Sequence, residues 1–429
     1  MTPSQTRSQS TSSPLSERDV QVPPSLDLVE QLFLISAFLA PLSLFVTRSL
    51  TAYDVMIAVI AFLLVAGPRR LLMLPRGFTI AAYVFLLTAL VSAFRATQPI
   101  EALLQTAQFA FIWFVQLPVI LTVARSRRVV RSSVGLFIAG SLFTMAVAMG
   151  SQTVQGAGRV LVFYTDNPNR LGYPSAYLLP FVAYFLGEWW RSGRRLRALV
   201  VGIPTAYLML WALAASASRG ATAGAVAAIT VYFLLRLRSG VGVTIFRLLL
   251  TCAFTGLSMV FLTRSGLFPF RLAERIARTF DSADRASLVQ DRLRLGRAGW
   301  EAFQDSPFVG TGLDNFRYVS ALYADGSSLQ VPHNLWIQFL AQVGIIGTFA
   351  FLIFIGKWYI ELLRFNRHTL DQSSHRFSWA FLASITSVLT IFMTTPILND
   401  RHYWLLLGLG LTIAEKTHNR DHIDIGATE

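Results

Sequence analysis

Long apolar runs separated by short polar connections recur from residue 29 almost to the end of the 429-residue chain. Runs long enough to cross a hydrocarbon core of about 30 Å begin near residues 29, 50, 78, 102, 132, 171, 198, 220, 243, 334, 377 and 403. The pattern predicts an all-α integral membrane protein of about twelve transmembrane helices. Two of them must turn tightly between Ser218 and Ala221, and a single long polar interruption, residues 263–333, breaks the rhythm. The chain then divides into a disordered tail (1–28), nine helices (29–262), the long loop (263–333), three helices (334–414) and a short tail (415–429).

Within the loop, SLVQDRLRLGRAGWEAFQDS has a helical period and is stopped by Pro307, Gly310 and Gly312. At about 100° per residue, Leu288, Leu295, Gly299, Ala302 and Phe303 share one face, flanked by Val289, Leu293 and Trp300. Gln290, Asp291, Arg294, Arg297, Glu301 and Asp305 lie opposite. Arg292 is the exception, a charge in the middle of the apolar arc. An arginine turned toward protein or membrane needs a partner. It either snorkels to water or lipid phosphate or holds a phosphate of the substrate.

Composition agrees with the pattern. With 54% hydrophobic, 13% aromatic and 14% charged residues, the chain is too apolar for a soluble globular protein. A net charge of +14 would suggest nucleic acid in a soluble chain, but the basic residues sit mostly in connections between apolar runs. Twenty-two Lys and Arg fall on one set of alternate connections and six on the short connections of the other. The positive-inside rule therefore puts both termini in the cytoplasm and the long loop outside. The loop's nine arginines are nearly balanced by eight acids. The single Cys252 excludes an intrachain disulfide and a cysteine metal site. Residues 1–28 lack an apolar core and read as a tail rather than a cleaved signal peptide.

Candidate chemistry gathers on the outer side. His333 follows Pro332 and precedes an apolar helix, whose positive end disfavours imidazolium and keeps the ring able to accept a proton. A histidine at a membrane interface is also, commonly, an ordinary hydrogen-bonding residue. Arg219, in SASRGA, interrupts two apolar runs; a charge at that depth is a functional candidate, and the small residues around it equally suit a tight helical turn. YTDNPNRLG brings Asn169 and Arg170 to the start of the sixth span, and Asp400, Arg401 and His402 stand at the last outer connection. Asp54, in the second span, is an intramembrane acid with no evident role. The chain has no Asp-x-Asp motif, no His-Glu-x-x-His, no Walker loop and no Gly-x-Ser-x-Gly elbow. What remains, arginines and one histidine, suits a reaction that neutralises a departing phosphate and activates a hydroxyl.

DRLRLGRAGWEAF, DSPFVGTGLDNF, then His333 and Asn334 with Gly344 and Gly347 beyond them, resemble the signature of the O-antigen ligase and polymerase superfamily. SASRG and NPNRLG resemble further features of that family, and Gly296 departs from it where a large apolar residue is frequent. The resemblance implies a GT-C-type glycosyltransferase of the bacterial inner membrane, with its active site on the periplasmic side and no metal or other cofactor. The donor would be glycan on undecaprenyl diphosphate and the acceptor a sugar hydroxyl of lipid A core, giving an inverting O-antigen ligase. By the same resemblance His333 is the base and Arg219 and Arg292 hold the diphosphate, with Arg170, Asn169, Asn334 and Asp400 as secondary substrate-binding candidates. Polymerases and protein O-oligosaccharyltransferases of the superfamily are the near alternatives. A lipid-linked glycan flippase is the alternative of another class; it predicts charges through the membrane depth and internal repeats, neither of which the sequence displays.

Overall fold

The computed structural model describes residues 26–42, 44, 50–151, 154–155, 159–160, 169–236, 282–323, 334–368, 371–395 and 400–425. These form α1 (Leu28–Leu39), α2 (Ala52–Ala66), α3 (Arg76–Ala93), α4 (Pro99–Val123), α5 (Arg127–Ser151), α6 (Asn169–Arg191), α7 (Arg195–Ser216) and α8 (Arg219–Arg236). After them come α9 (Ser282–Asp305), α10 (Phe316–Tyr323), α11 (Leu335–His368), α12 (Gln372–Phe392) and α13 (Arg401–Ile425). Eleven of the twelve apolar runs thus coincide with helices; the run near residue 243 lies outside the described residues. One small departure from the all-helical expectation is a two-residue antiparallel pairing, Val154–Gln155 with Arg159–Val160, between α5 and α6.

Among the described residues five helices, α3, α4, α5, α7 and α11, are long and apolar enough to cross a membrane, with α1 and α2 shorter apolar helices. Helices α6, α8, α12 and α13 are long but less apolar or more charged, and they pack among the others. The bundle is turned outward in the manner of a membrane protein. Phe62, Ile80, Leu87, Val200 and Phe349 are each more than 60% exposed, whereas Ser92, Gln116, Ser133 and Ser384 are buried. Apolar side chains facing outward cost nothing in lipid, while packing between helices rests on close approach and polar contacts. Helices α8 and α12 show this: an added Cβ on Gly224 would lie 2.8 Å from Ile391 Cγ1 and 3.0 Å from the Ser387 carbonyl.

Asp54 acquires a role in this packing. It is the third residue of α2, where its carboxylate accepts hydrogen bonds from the amide and hydroxyl of Thr51, each at 2.9 Å, completing a capping box. Its other oxygen accepts from Arg401 Nε at 2.9 Å, and both side chains are buried. The pair joins α2 to α13, and Gln116 of α4 closes on the Arg401 carbonyl. Asp54→Ala should cost about 3–5 kcal/mol by stripping the carboxylate from a buried guanidinium, read as a lower melting temperature of the purified protein. Adding Arg401→Met should recover most of that loss. A double variant no more stable than Asp54→Ala would show that the two residues do not stabilise each other.

Helix α11 is broken at Gly344, where φ is 64° and ψ is −171°. As one straight rod its 34 residues would span about 50 Å, well beyond a hydrocarbon core. The loop Pro307–Asn315 fills the break. Thr311 N donates to the Ala341 carbonyl and Gly312 N to the Gln342 carbonyl, both at 2.9 Å, and Ile345 N donates to the Pro307 carbonyl at 2.8 Å. The carbonyls and amide that the break frees are thereby satisfied by the loop. The approach is backbone to backbone: a Cβ on Gly310 would come within 2.5 Å of Val343 N, and one on Gly344 within 2.5 Å of Val309 N. Asn315, fully buried, accepts from Gln98 N at 2.8 Å and donates to the Gln98 carbonyl at 3.0 Å, fastening the same loop to the start of α4.

Candidate functional site

The SASRGA segment folds as a tight corner between α7 and α8. Ala217 takes the left-handed conformation, φ 47°, and ends α7. Ser216 Oγ accepts from Ser218 N, and Ser218 Oγ accepts from Ala221 N, capping α8. Arg219 is therefore the first residue of α8, half-buried. Small residues bring two further elements against this corner. A Cβ on Gly172 of α6 would lie 3.0 Å from Ser216 Cβ, and one on Gly220 would lie 3.1 Å from Thr394 Cβ, just past the end of α12.

The start of α6 carries Asn169 and Arg170, both half-buried. Arg170 Nη2 lies 3.2 Å from the buried carboxylate of Asp400, which precedes α13. Behind this ion pair the His402 ring stacks on Tyr177 at 5.8 Å between centroids and meets Tyr403 edge-on at 4.6 Å. The hydroxyls of Tyr177 and Tyr403, His402 Nε2 and Asp400 Oδ2 are all buried and make no hydrogen bond among the described residues. The end of the bundle formed by the starts of α6, α8 and α13 is thus a polar layer inside an aromatic wall.

The start of α11 reaches the same place. Asn334 Oδ1 accepts from Trp336 N at 2.9 Å and from Ile337 N at 3.3 Å, so Asn334 caps this helix. Trp336 Nε1 donates to Met393 Sδ at 2.8 Å. Met393 adjoins Thr394, which packs on Gly220 beside Arg219. The beginnings of α8 and α11 are therefore held together by the end of α12. His333, the residue before Asn334, lies outside the described residues.

Arg292 meets a different environment from the one its periodicity predicts. Leu295, Gly299 and Ala302 are buried against α10 and α11, as the apolar arc requires, but Arg292 is exposed. Leu293 and Trp300, which flank the arc, are 55% and 51% exposed as well. The buried face takes in Ala298, which the arc leaves out, and leaves Trp300 exposed although it follows Leu295, so the covered face is turned from the arc toward Ala298. Among the described residues of the loop, several polar groups are engaged within the fold. Arg317 pairs with Asp314 and with Glu101 of α4, and Tyr318 donates to Glu101 at 2.6 Å. Burial raises the Asp314 pKa, and Arg317 pulls it back only in part. Burial and the hydrogen bond to Asp305 push the Tyr323 phenol up to about 12, so it stays a donor. The contacts with Glu101 lacked a sequence signal because Arg317 lies 216 positions from it in the chain.

No three His, Cys, Asp or Glu side chains gather as metal ligands among the described residues. Arginine and amide side chains are the groups present, and they suit phosphate and sugar hydroxyls. Fold and site together define a multi-pass membrane protein with an arginine-bearing polar site at one end of its helical bundle. Residues 204–352 match the family model described as O-Antigen ligase, which bears out the superfamily read from the motifs. The match runs from α7 to the lower half of α11 and takes in Arg219, Arg292, the clamped loop and His333. No curated protein matches the chain.

Proposed function

We propose that the protein is a lipid-diphosphate-dependent glycosyltransferase, an O-antigen ligase of lipopolysaccharide biosynthesis. It transfers O-antigen polysaccharide from undecaprenyl diphosphate to a sugar hydroxyl of lipid A core on the periplasmic face of the bacterial inner membrane. The observation that carries this reading is the junction of α8, α11 and α12: the contact of Trp336 with Met393, and of Thr394 with Gly220, ties the segment beginning at Asn334 to the corner that bears Arg219. The family match over the same segments supports it.

In this reading the acceptor oxygen attacks the anomeric carbon as the bond from that carbon to the diphosphate oxygen breaks. The hydroxyl proton passes to the imidazole of His333, and the lipid diphosphate leaves with its charge balanced by Arg219 and Arg292. A single displacement inverts the anomeric centre. A diphosphate is already a good leaving group, so no strong general acid is required, and arginine supplies the neutralisation that a metal provides in other sites. Arg170, Asn169, Asn334 and Asp400 contribute contacts at the rim; Arg170 is already balanced by Asp400, which makes it the weaker candidate for the diphosphate. The fold is a GT-C arrangement of twelve spans with cytoplasmic termini.

Purified protein offered lipid-linked glycan together with both lipid A core and a second lipid-linked repeat unit should form the lipid A core conjugate, in the presence of EDTA. A product elongated on the second lipid-linked unit would instead make the protein a polymerase. Loss of all transfer in EDTA, restored by a divalent cation, would overturn the metal-independent mechanism.

A further inference from the structure

The opposite end of the bundle holds a second charged site. A cavity of about 630 Å³ opens between the ends of α6, α8 and α11 and the start of α12. Arg191, Arg236, Arg367 and Arg376 all line it. None of the residues that line it is a carboxylate; among the described residues Glu188, beside it, pairs with Arg191 and with Arg376 at 3.3 Å, and is shared with Arg131 at 3.7 Å. Arg367 makes no ion pair among the described residues. The cavity thus carries a surplus of guanidinium, the group best shaped to grip phosphate oxygens two at a time.

Its other wall is apolar. Leu234, 55% exposed, Leu235 and Leu363 face the arginines across the opening, and the indole of Trp379 closes the inner end. Trp379 Nε1 is buried and makes no hydrogen bond among the described residues, which leaves a donor at the cavity wall. A soluble anion gains nothing from a leucine wall at a bundle end. A phosphate joined to hydrocarbon uses both walls. Basic pockets between membrane helices on the positively charged side bind anionic lipid head groups, and this end carries the chain's arginine-rich connections.

We propose that this cavity is a binding site for the phosphate head group of an anionic phospholipid of the cytoplasmic leaflet, with its acyl chains along Leu234 and Leu363. The site is separate from the periplasmic one, so the lipid is a bound structural ligand and is not consumed. The head-group phosphate sits among Arg236, Arg367 and Arg376, and the surplus positive charge excludes zwitterionic lipids.

The test uses full-length protein in neutral detergent, titrated with phosphatidylglycerol, phosphatidylcholine or inorganic phosphate and read by native mass spectrometry and melting temperature. Phosphatidylglycerol should bind and raise the melting temperature, phosphatidylcholine should not, and inorganic phosphate at the same concentration should not displace the bound lipid. Arg236→Gln with Arg367→Gln should weaken phosphatidylglycerol binding on the order of 30-fold, two arginines' worth at a lipid surface. That variant leaves the Glu188 ion pairs intact, and its lipid-free melting temperature reports its folding; Arg367→Gln alone, at the more accessible position, should give a smaller loss in the same direction. Equal binding of the two phospholipids, unchanged binding by a folded double variant, or displacement of the lipid by inorganic phosphate would each overturn the proposal.

Discussion

His333→Ala protein should reach the membrane at the wild-type level and transfer glycan at a rate lower by about 10²–10⁴-fold, the range for removing a positioned general base. Asn334 already caps α11, so the helix does not need His333 to begin. Trp336 and Met393 anchor the helix start without it. The substitution should therefore spare folding while removing the imidazole that the proposed reaction uses as its base. Accumulation of undecaprenyl-diphosphate-linked glycan, with lipid A core left unmodified, is the expected cellular readout. Wild-type transfer by this variant would sink the assignment of His333 as the base. Arg219→Gln should be similarly inactive, since a lost charge at the leaving group is not compensated by Arg170, whose guanidinium is held by Asp400.

Gly344→Ala should be severely damaging for a change of a single methyl group. Its φ of 64° and ψ of −171° lie in a region that only glycine occupies at ease, at a cost of about 1–3 kcal/mol for other residues. The added Cβ would also come within 2.5 Å of Val309 N, and a backbone atom cannot swing aside as a side-chain tip can. The loop would have to leave the break, releasing the bonds from Thr311, Gly312 and Ile345 together. A loss of more than about 3 kcal/mol is expected, with reduced protein in membranes and no transfer. Gly356→Ala is the control. It lies in the same helix with nothing within 4 Å of its added Cβ, and should be neutral or stabilising by up to about 1 kcal/mol. Equal behaviour of the two variants would refute the account of the break.

The helices were legible from the sequence because apolar length is a local property: the run expected near 198 is α7 from Arg195, and the one near 377 is α12 from Gln372. The tight turn at Ser218 was legible too, through its small residues. The glycines at 310 and 312 were readable only as stops to a helix. Their actual partners, Gln342 and Ala96, are some thirty and two hundred residues away, and a contact made by backbone alone leaves no periodicity behind. Asp54 stayed unassigned for the same reason, since Arg401 is 347 positions distant. Arg292 shows the limit of a helical wheel. Spacing gives the helix, but the side that neighbours cover is turned toward Ala298 and leaves Leu293 and Trp300 exposed. Asn334, read as a substrate contact, has its side-chain oxygen engaged in capping α11, a use that the following apolar run would have suggested.

The break in α11 also separates two mechanical roles. Below Gly344 the helix has about 24 residues to His368, a rod of about 36 Å that suffices to cross a bilayer on its own. Above it, Leu335–Val343 is a rod of about 14 Å, fixed to α4 and α9 through the loop rather than to the lipid. A thicker or thinner membrane would be met by tilt of the lower rod, while the upper rod stays fastened to the loop. The start of α11, tied to the Arg219 corner through Met393 and Thr394, thus stands on a bracket set apart from the rod that crosses the bilayer.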